Sequence, residues 1–213
     1  MPVVLNPPEQ RVVLPAVTWA TYERLLSDHA QVSVPRFTFD RGVLEIMSPS
    51  SEHEEYNRTL ALVVEVFAEE WGLDIRNLGS TTFKREDFQR GFEADSCFYI
   101  QSAPQMTGRG RVDPAVDPPP DLVIEVDITN TALGKFPVYA QFGVPELWRY
   151  DGTRAAIFKL KGSEFAETEI SVAFPRVSAA DLSGFLQQAR TLRRPAWLKM
   201  LRNWARKGSP SSL

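Results

Sequence analysis

Helical, alternating and continuous apolar patterns divide the chain into elements. Trp19, Tyr22 and Leu26 recur at helical spacing behind Thr18, a capping residue, and predict a short helix through about His29. Two strand-like runs, 37–40 and 43–47, flank Arg41-Gly42 and predict an antiparallel hairpin. Ser51 and Glu54 form a capping-box pattern ahead of Tyr56, Leu60, Val63 and Phe67, which predicts a long helix ended by Gly72. Strand formers gather at 81–83 and 97–100. Residues 101–120, rich in Gly, Pro and charge, read as a long loop, which in a compact domain is functional or mobile. The apolar run 122–126 has central-strand character, and a helix near 132–142 and a strand at 146–150 complete a βαβ unit. Asp151-Gly152 and Lys161-Gly162 mark hairpin turns, and helices are expected near 179–190 and 195–206.

A chain of 213 residues, 43% hydrophobic and 24% charged, fits one globular domain. The expected division is an irregular proline-rich segment at 1–16, a domain at 17–190, and a basic helix and tail at 191–213. One cysteine, Cys97, excludes an internal disulfide and a multi-cysteine zinc site, and fits a reducing compartment. No apolar run spans a bilayer and no basic segment precedes an apolar one at the N-terminus, so the expected location is cytoplasmic, with no membrane partner. The net charge of −3 gives no global attraction for nucleic acid, so any such binding requires a local basic surface. Between 190 and 207 there are seven basic residues and no acidic one, with Trp197, Leu201 and Trp204 at helical spacing. This amphipathic helix either touches a nucleic-acid backbone or packs on the domain with its basic face in water.

Strand alternation puts Glu125 and Asp127 on one face while Leu122, Ile124, Val126 and Ile128 take the other. The same rule puts Glu93 and Asp95 on one face of a run leading to Phe98 and Ile100. Buried carboxylates need compensation, either from a hard divalent cation or from Arg and Lys, and the pattern leaves both open. Lys135 precedes Tyr139 by four residues and Phe142 by seven, on the core face and in the first turn of its helix. The helix dipole disfavours a cation there, so an acidic cluster or a phosphate would explain it; alternatively its stem packs while its amine reaches water. His53, three residues before Tyr56, also faces inward, either as a satisfied buried histidine or, with Glu52, as a group reaching a metal-bound water or a phosphate. Cys97, on the Asp95 face of an apolar strand, reads as a packed thiol.

Met47-Ser48-Pro49 with His53, Phe92-Glu93-Ala94-Asp95-Ser96, Pro120-Asp121-Leu122-Val123-Ile124-Glu125-Val126, Lys135, and Tyr139 through Gly143-Val144-Pro145-Glu146-Leu147-Trp148 follow one another in an order that resembles the PD-(D/E)XK nuclease superfamily, specifically its Uma-type endonucleases. The resemblance implies an α/β fold with a restriction endonuclease-like core, a mixed β-sheet flanked by helices. It implies a metal-dependent endonuclease acting on the phosphodiester bonds of DNA, with Asp95 and Glu125 as the acids of the first and second motifs and Lys135 as a lysine moved from strand to helix. His53 joins these as a catalytic candidate, Asp127 joins Asp95 and Glu125 as a metal ligand, and the cofactor is Mg²⁺, with Mn²⁺ as a substitute. Two chains pairing as a homodimer is a further expectation. Two positions depart from the pattern: Ala94 replaces the usual proline, and Asp127 stands where the superfamily has lysine. A catalytically inactive DNA-binding or assembly module with the same fold is the alternative, and a glycosidase with paired carboxylates is a more distant one.

Overall fold

The computed structural model describes residues 9–128 and 134–207. Its first half runs β1 (Gln10–Leu14), α1 (Trp19–Asp28), β2 (Arg36–Asp40), β3 (Val43–Ser48), α2 (Ser51–Trp71), β4 (Arg76–Gly79), β5 (Thr82–Arg85), β6 (Arg90–Glu93) and β7 (Ser96–Tyr99). Then come α3 (Ala103–Met106), β8 (Leu122–Val126), α4 (Phe136–Phe142), β9 (Glu146–Tyr150), β10 (Ala155–Lys161), β11 (Glu164–Thr168), α5 (Ala179–Thr191) and α6 (Arg194–Lys207).

The central sheet has six strands in the order β11-β10-β9-β8-β7-β4 and is mixed, because β8 and β9 pair in parallel across the α4 connection. A parallel pair needs such a crossover, and the sequence pattern predicts it. Strand β8 is apolar on both faces apart from Glu125, because both faces are covered. Leu122, Ile124 and Val126 meet Leu60, Val63 and Phe67 of α2, with Phe185 of α5 and Trp197 of α6 in the same core. On the other face Val123 and Leu147 pack with Val138 and Tyr139 of α4 and with Phe83 and Phe92.

Those two phenylalanines come from a second, antiparallel sheet of five strands, β1-β3-β2-β6-β5, where the sequence suggested a single one. The expected hairpin is β2–β3 within it, and Trp19 and Tyr22 of α1 cover its Phe37 and Phe39. Two local expectations are corrected. Residues 10–14 of the segment read as irregular form β1, which pairs with β3 from Gln10 opposite Ser48 to Leu14 opposite Leu44. Helix α2 is capped by Ser50, whose side chain accepts from the His53 amide, and not by Ser51; Glu54 therefore takes no part in a capping box and its carboxylate meets Arg36 instead.

The loop at 101–120 contains the single turn of α3 and is tied down where Asp121 accepts from the amides of Ile100 and Ser102, at 2.6 and 2.8 Å. Helix α6 belongs to the main core rather than to a separate tail: Trp197, Leu201 and Ala205 are buried, and Arg202 and Arg206 pair with Glu69 and Glu70 of α2. Among the described residues no helix is long and apolar enough to cross a membrane.

Candidate active site

The chain leaves one sheet at the end of β6 and enters the other at the start of β7, and Asp95 lies at this crossing. Glu93 and Asp95 consequently do not share a face, because strand alternation lapses where the chain changes sheets. Glu93 turns back to accept from the Phe37 amide at 2.8 Å, and burial raises its pKa. Asp95 turns towards the central sheet, where its Oδ2 accepts from the Val126 amide at 2.7 Å. Asn57 of α2 fixes the crossing, donating to the Asp95 carbonyl at 3.1 Å and accepting from the Ser96 hydroxyl at 2.8 Å.

The other Asp95 oxygen faces two cations, the Arg36 guanidinium and His53 Nε2 at 2.9 Å. His53 Nδ1 lies 2.6 Å from Glu9. Burial would lower the histidine's pKa, but the hydrogen bonds and charges of Asp95 and Glu9 more than reverse this and push it up to about 9. The ring is thus held protonated at neutral pH as a bridge between carboxylates. Burial would likewise raise Asp95, yet the His53 hydrogen bond and the Arg36 charge hold it well below the usual carboxylate range.

Glu125 projects from β8 to the α4 side. Its Oε2 is 2.9 Å from Lys135 Nζ, and its Oε1 accepts from the Tyr139 hydroxyl. Lys135 caps α4 rather than standing in its first turn, and residues 132–133 of the expected helix lie outside the described residues. The amine does not reach water: the side chain is 6% exposed, with Glu45 3.9 Å away. Burial would lower its pKa, and the charges of Glu125, Asp95 and Glu45 more than reverse this, so it stays charged. Burial pushes Glu125 up, against the pull of Lys135.

Asp127 keeps to the Glu125 side of the strand as alternation requires, but two guanidiniums take up its carboxylate. Arg149 approaches to 2.9 Å and Arg11 of β1 to 3.0 Å. Asp127, expected as a third metal ligand, is thus held in ion pairs with two arginines. Among the described residues no group of three His, Cys, Asp or Glu side chains stands at metal-binding spacing. Cys97 is buried, with its thiol pushed up to about 12 by burial, as a packed residue should be.

The structure thus brings Asp95, Glu125, Lys135 and His53 into one buried network. It adds Arg36, Glu45, Glu9 and Arg11, which the sequence pattern did not single out, and Tyr139, which it read only as part of the core face of its helix. Glu45 carried a usable signal, since Leu44-Glu45-Ile46 sets a carboxylate in an apolar strand just as Ile124-Glu125-Val126 does. Arg36, Glu9 and Arg11 carried none, because they meet the acids only through pairing between distant segments.

Residues 19–192 match the model of the Uma2 family, whose description is "Putative restriction endonuclease". A similar solved structure is the crystal structure of "a putative nuclease belonging to DUF820 from Anabaena variabilis ATCC 29413". The TM-score is 0.52 at 14% sequence identity, covering 76% of this chain and 98% of that one, a likeness of fold. No curated protein matches.

Proposed function

Because the chain belongs to the Uma2 restriction-endonuclease family, we propose that it is a metal-dependent endonuclease that hydrolyses phosphodiester bonds in DNA. The observation that carries this reading is the convergence of two carboxylates and a buried lysine from three separate elements: Asp95 before β7, Glu125 within β8 and Lys135 at the start of α4. The lysine balances the buried Glu125, and it is the gathering of several perturbed charges in one place that favours a site over plain packing.

Restriction-endonuclease-like families generally use divalent metals, and the donor set here fits one, since its anionic groups are all hard oxygen ligands. Asp95 and Glu125 would hold Mg²⁺, with Mn²⁺ as a substitute; when bound, the ion polarises the phosphate and lowers the pKa of water. The chain's own residues do the rest. The Val126 amide and the Asn57 clamp fix Asp95, and the Tyr139 hydroxyl orients Glu125. Lys135 places a permanent positive charge where the phosphate gains negative charge. His53, protonated and shared by Glu9 and Asp95, acts as a positioning residue rather than as a base.

The test is incubation of wild-type protein and Asp95→Asn with supercoiled plasmid and with single-stranded DNA, in Mg²⁺, Mn²⁺ or chelator. Metal-dependent cleavage by wild type and none by the variant is the expected result; equal cleavage by both sinks the assignment. One observation favours a second reading, a catalytically silent DNA-binding module. The Asp95 carboxylate is already balanced by Arg36 and His53, and that of Glu125 by Lys135. Binding of DNA without turnover in any metal would select it.

A further inference from the structure

At the Asp95 end the network borders a cleft of about 570 Å³ between the N-terminal half of α2 and β4. Arg36 and Asp95, both buried, line its deep end, and the exposed Arg58 of α2 and Arg194 of α6 line its rim. The Arg36 guanidinium is 6% exposed, and its Nε has no hydrogen-bond partner among the described residues. The acids that line the cleft have partners within it: Asp95 and Glu54 pair with Arg36, and Glu65 accepts from Asn77 at 2.7 Å.

The basic face of α6 divides at this point. Arg202 and Arg206 are spent on Glu69 and Glu70, whereas Arg194 has no carboxylate partner among the described residues and lies 5.0 Å over the ring of Trp197. Arg58 approaches Glu54 no closer than 3.8 Å with its side chain 81% exposed. Exposed pairs at that distance hold little energy, so both rim arginines can change partner at small cost. A chain of net charge −3 must gather any phosphate affinity locally, and guanidinium groups suit phosphate through paired N–H donors.

We propose that this cleft takes the phosphodiester backbone of a nucleic-acid strand, with Arg58 and Arg194 contacting the phosphates that flank the one delivered to Arg36 and Asp95. The proposal rests on the nuclease reading. Arg58 lies within the residues matched to the family and Arg194 two positions beyond them.

The experiment is fluorescence anisotropy of a fluorescein-labelled single-stranded DNA oligonucleotide in chelator across a salt series. It compares wild type, the double variant Arg58→Glu/Arg194→Glu, and Lys161→Glu as a charge-reversal control on β10, near the opposite edge of the sheet. The double variant should bind at least about tenfold more weakly, and its plot of log affinity against log salt should be shallower by about 1.4 for two lost contacts. Lys161→Glu should match wild type. Undiminished binding by the double variant, an equal loss in the control, or no binding by wild type overturns the proposal. Should charge reversal perturb folding, Arg58→Gln/Arg194→Gln gives the same salt readout. Cleft-dependent binding without any cleavage removes the hydrolytic reading and keeps the cleft, whereas cleavage by wild type with unaltered binding in the double variant does the reverse.

Discussion

Two neighbouring strands of one sheet each bury a glutamate, and they do so by opposite means. Glu125 on β8 is satisfied by a cation, Lys135, and one hydroxyl. Glu146 on β9 has no exposure, and neutral donors satisfy both its oxygens. The Trp148 indole and the Ser171 hydroxyl donate at 2.6 and 2.5 Å, and the amides of Val172 and Ala173 also donate. Backbone amides are fixed by the chain around them, so Glu146 is locked into the loop it anchors. A lysine amine on a flexible stem can yield its place, so Glu125 can exchange partners. Burial of a carboxylate is thus no mark of a site by itself, and a cationic partner on a flexible stem is what sets Glu125 apart from Glu146.

The largest effect that can break this distinction is on activity. Glu125→Gln should lower metal-dependent cleavage by about 10³-fold, while Glu146→Gln leaves the rate within about tenfold of wild type. Plasmid-nicking rates measure both, and a comparable fall in the two variants would erase the contrast.

Next comes Lys135→Met, which keeps the stem but leaves Glu125 and Glu45 beside a missing charge, at a cost of about 3–5 kcal/mol. A divalent cation should restore part of that loss. Mn²⁺ should therefore raise the thermal midpoint of Lys135→Met more than that of wild type. Glu146→Ala strands its donors, two backbone amides among them, and should cost about 3 kcal/mol by urea unfolding, with no recovery in Mn²⁺. Metal rescue of Glu146→Ala, or none of Lys135→Met, would contradict the assignment of donors.

The same contrast explains what could be read from the sequence. Helix α2, the β2–β3 hairpin and the β8-α4-β9 unit were legible because their periods and turns are local. The second sheet was not, because nothing in residues 90–99 marks the point where short strands change partners, and the face assigned to Glu93 failed there. Strand β1 was hidden for a related reason: its residues pair with β3 across thirty or more positions. In the site, Asp95, Glu125 and Lys135 stood out as charges in apolar surroundings. Glu146 has the same local look, and only the loop at 171–173, distant in sequence, reveals that neutral donors hold it.

The smallest effect separates the two regions by pH. His53 in the Asp95 network has a folded pKa of about 9 against an ordinary 6.5, so the folded state holds the proton more tightly. Its stabilising contribution is complete below about 6.5 and is lost as pH rises through 9. Burial raises Glu146 from an ordinary 4.5, although its donors oppose that rise, so the fold favours the protonated form here too. Stability from this group is complete below 4.5 and falls as pH climbs through the raised value. One group contributes a slope of at most about 1.4 kcal/mol per pH unit. Glutamine at position 146 is permanently neutral, so Glu146→Gln should remove the loss that begins above 4.5 and leave the His53 loss towards pH 9 intact. His53→Gln should do the opposite. Urea unfolding free energies in chelator between pH 4 and 9.5 resolve the two limbs, and an alkaline loss that survives in His53→Gln would show that the charge on this ring does not hold the Asp95 network together.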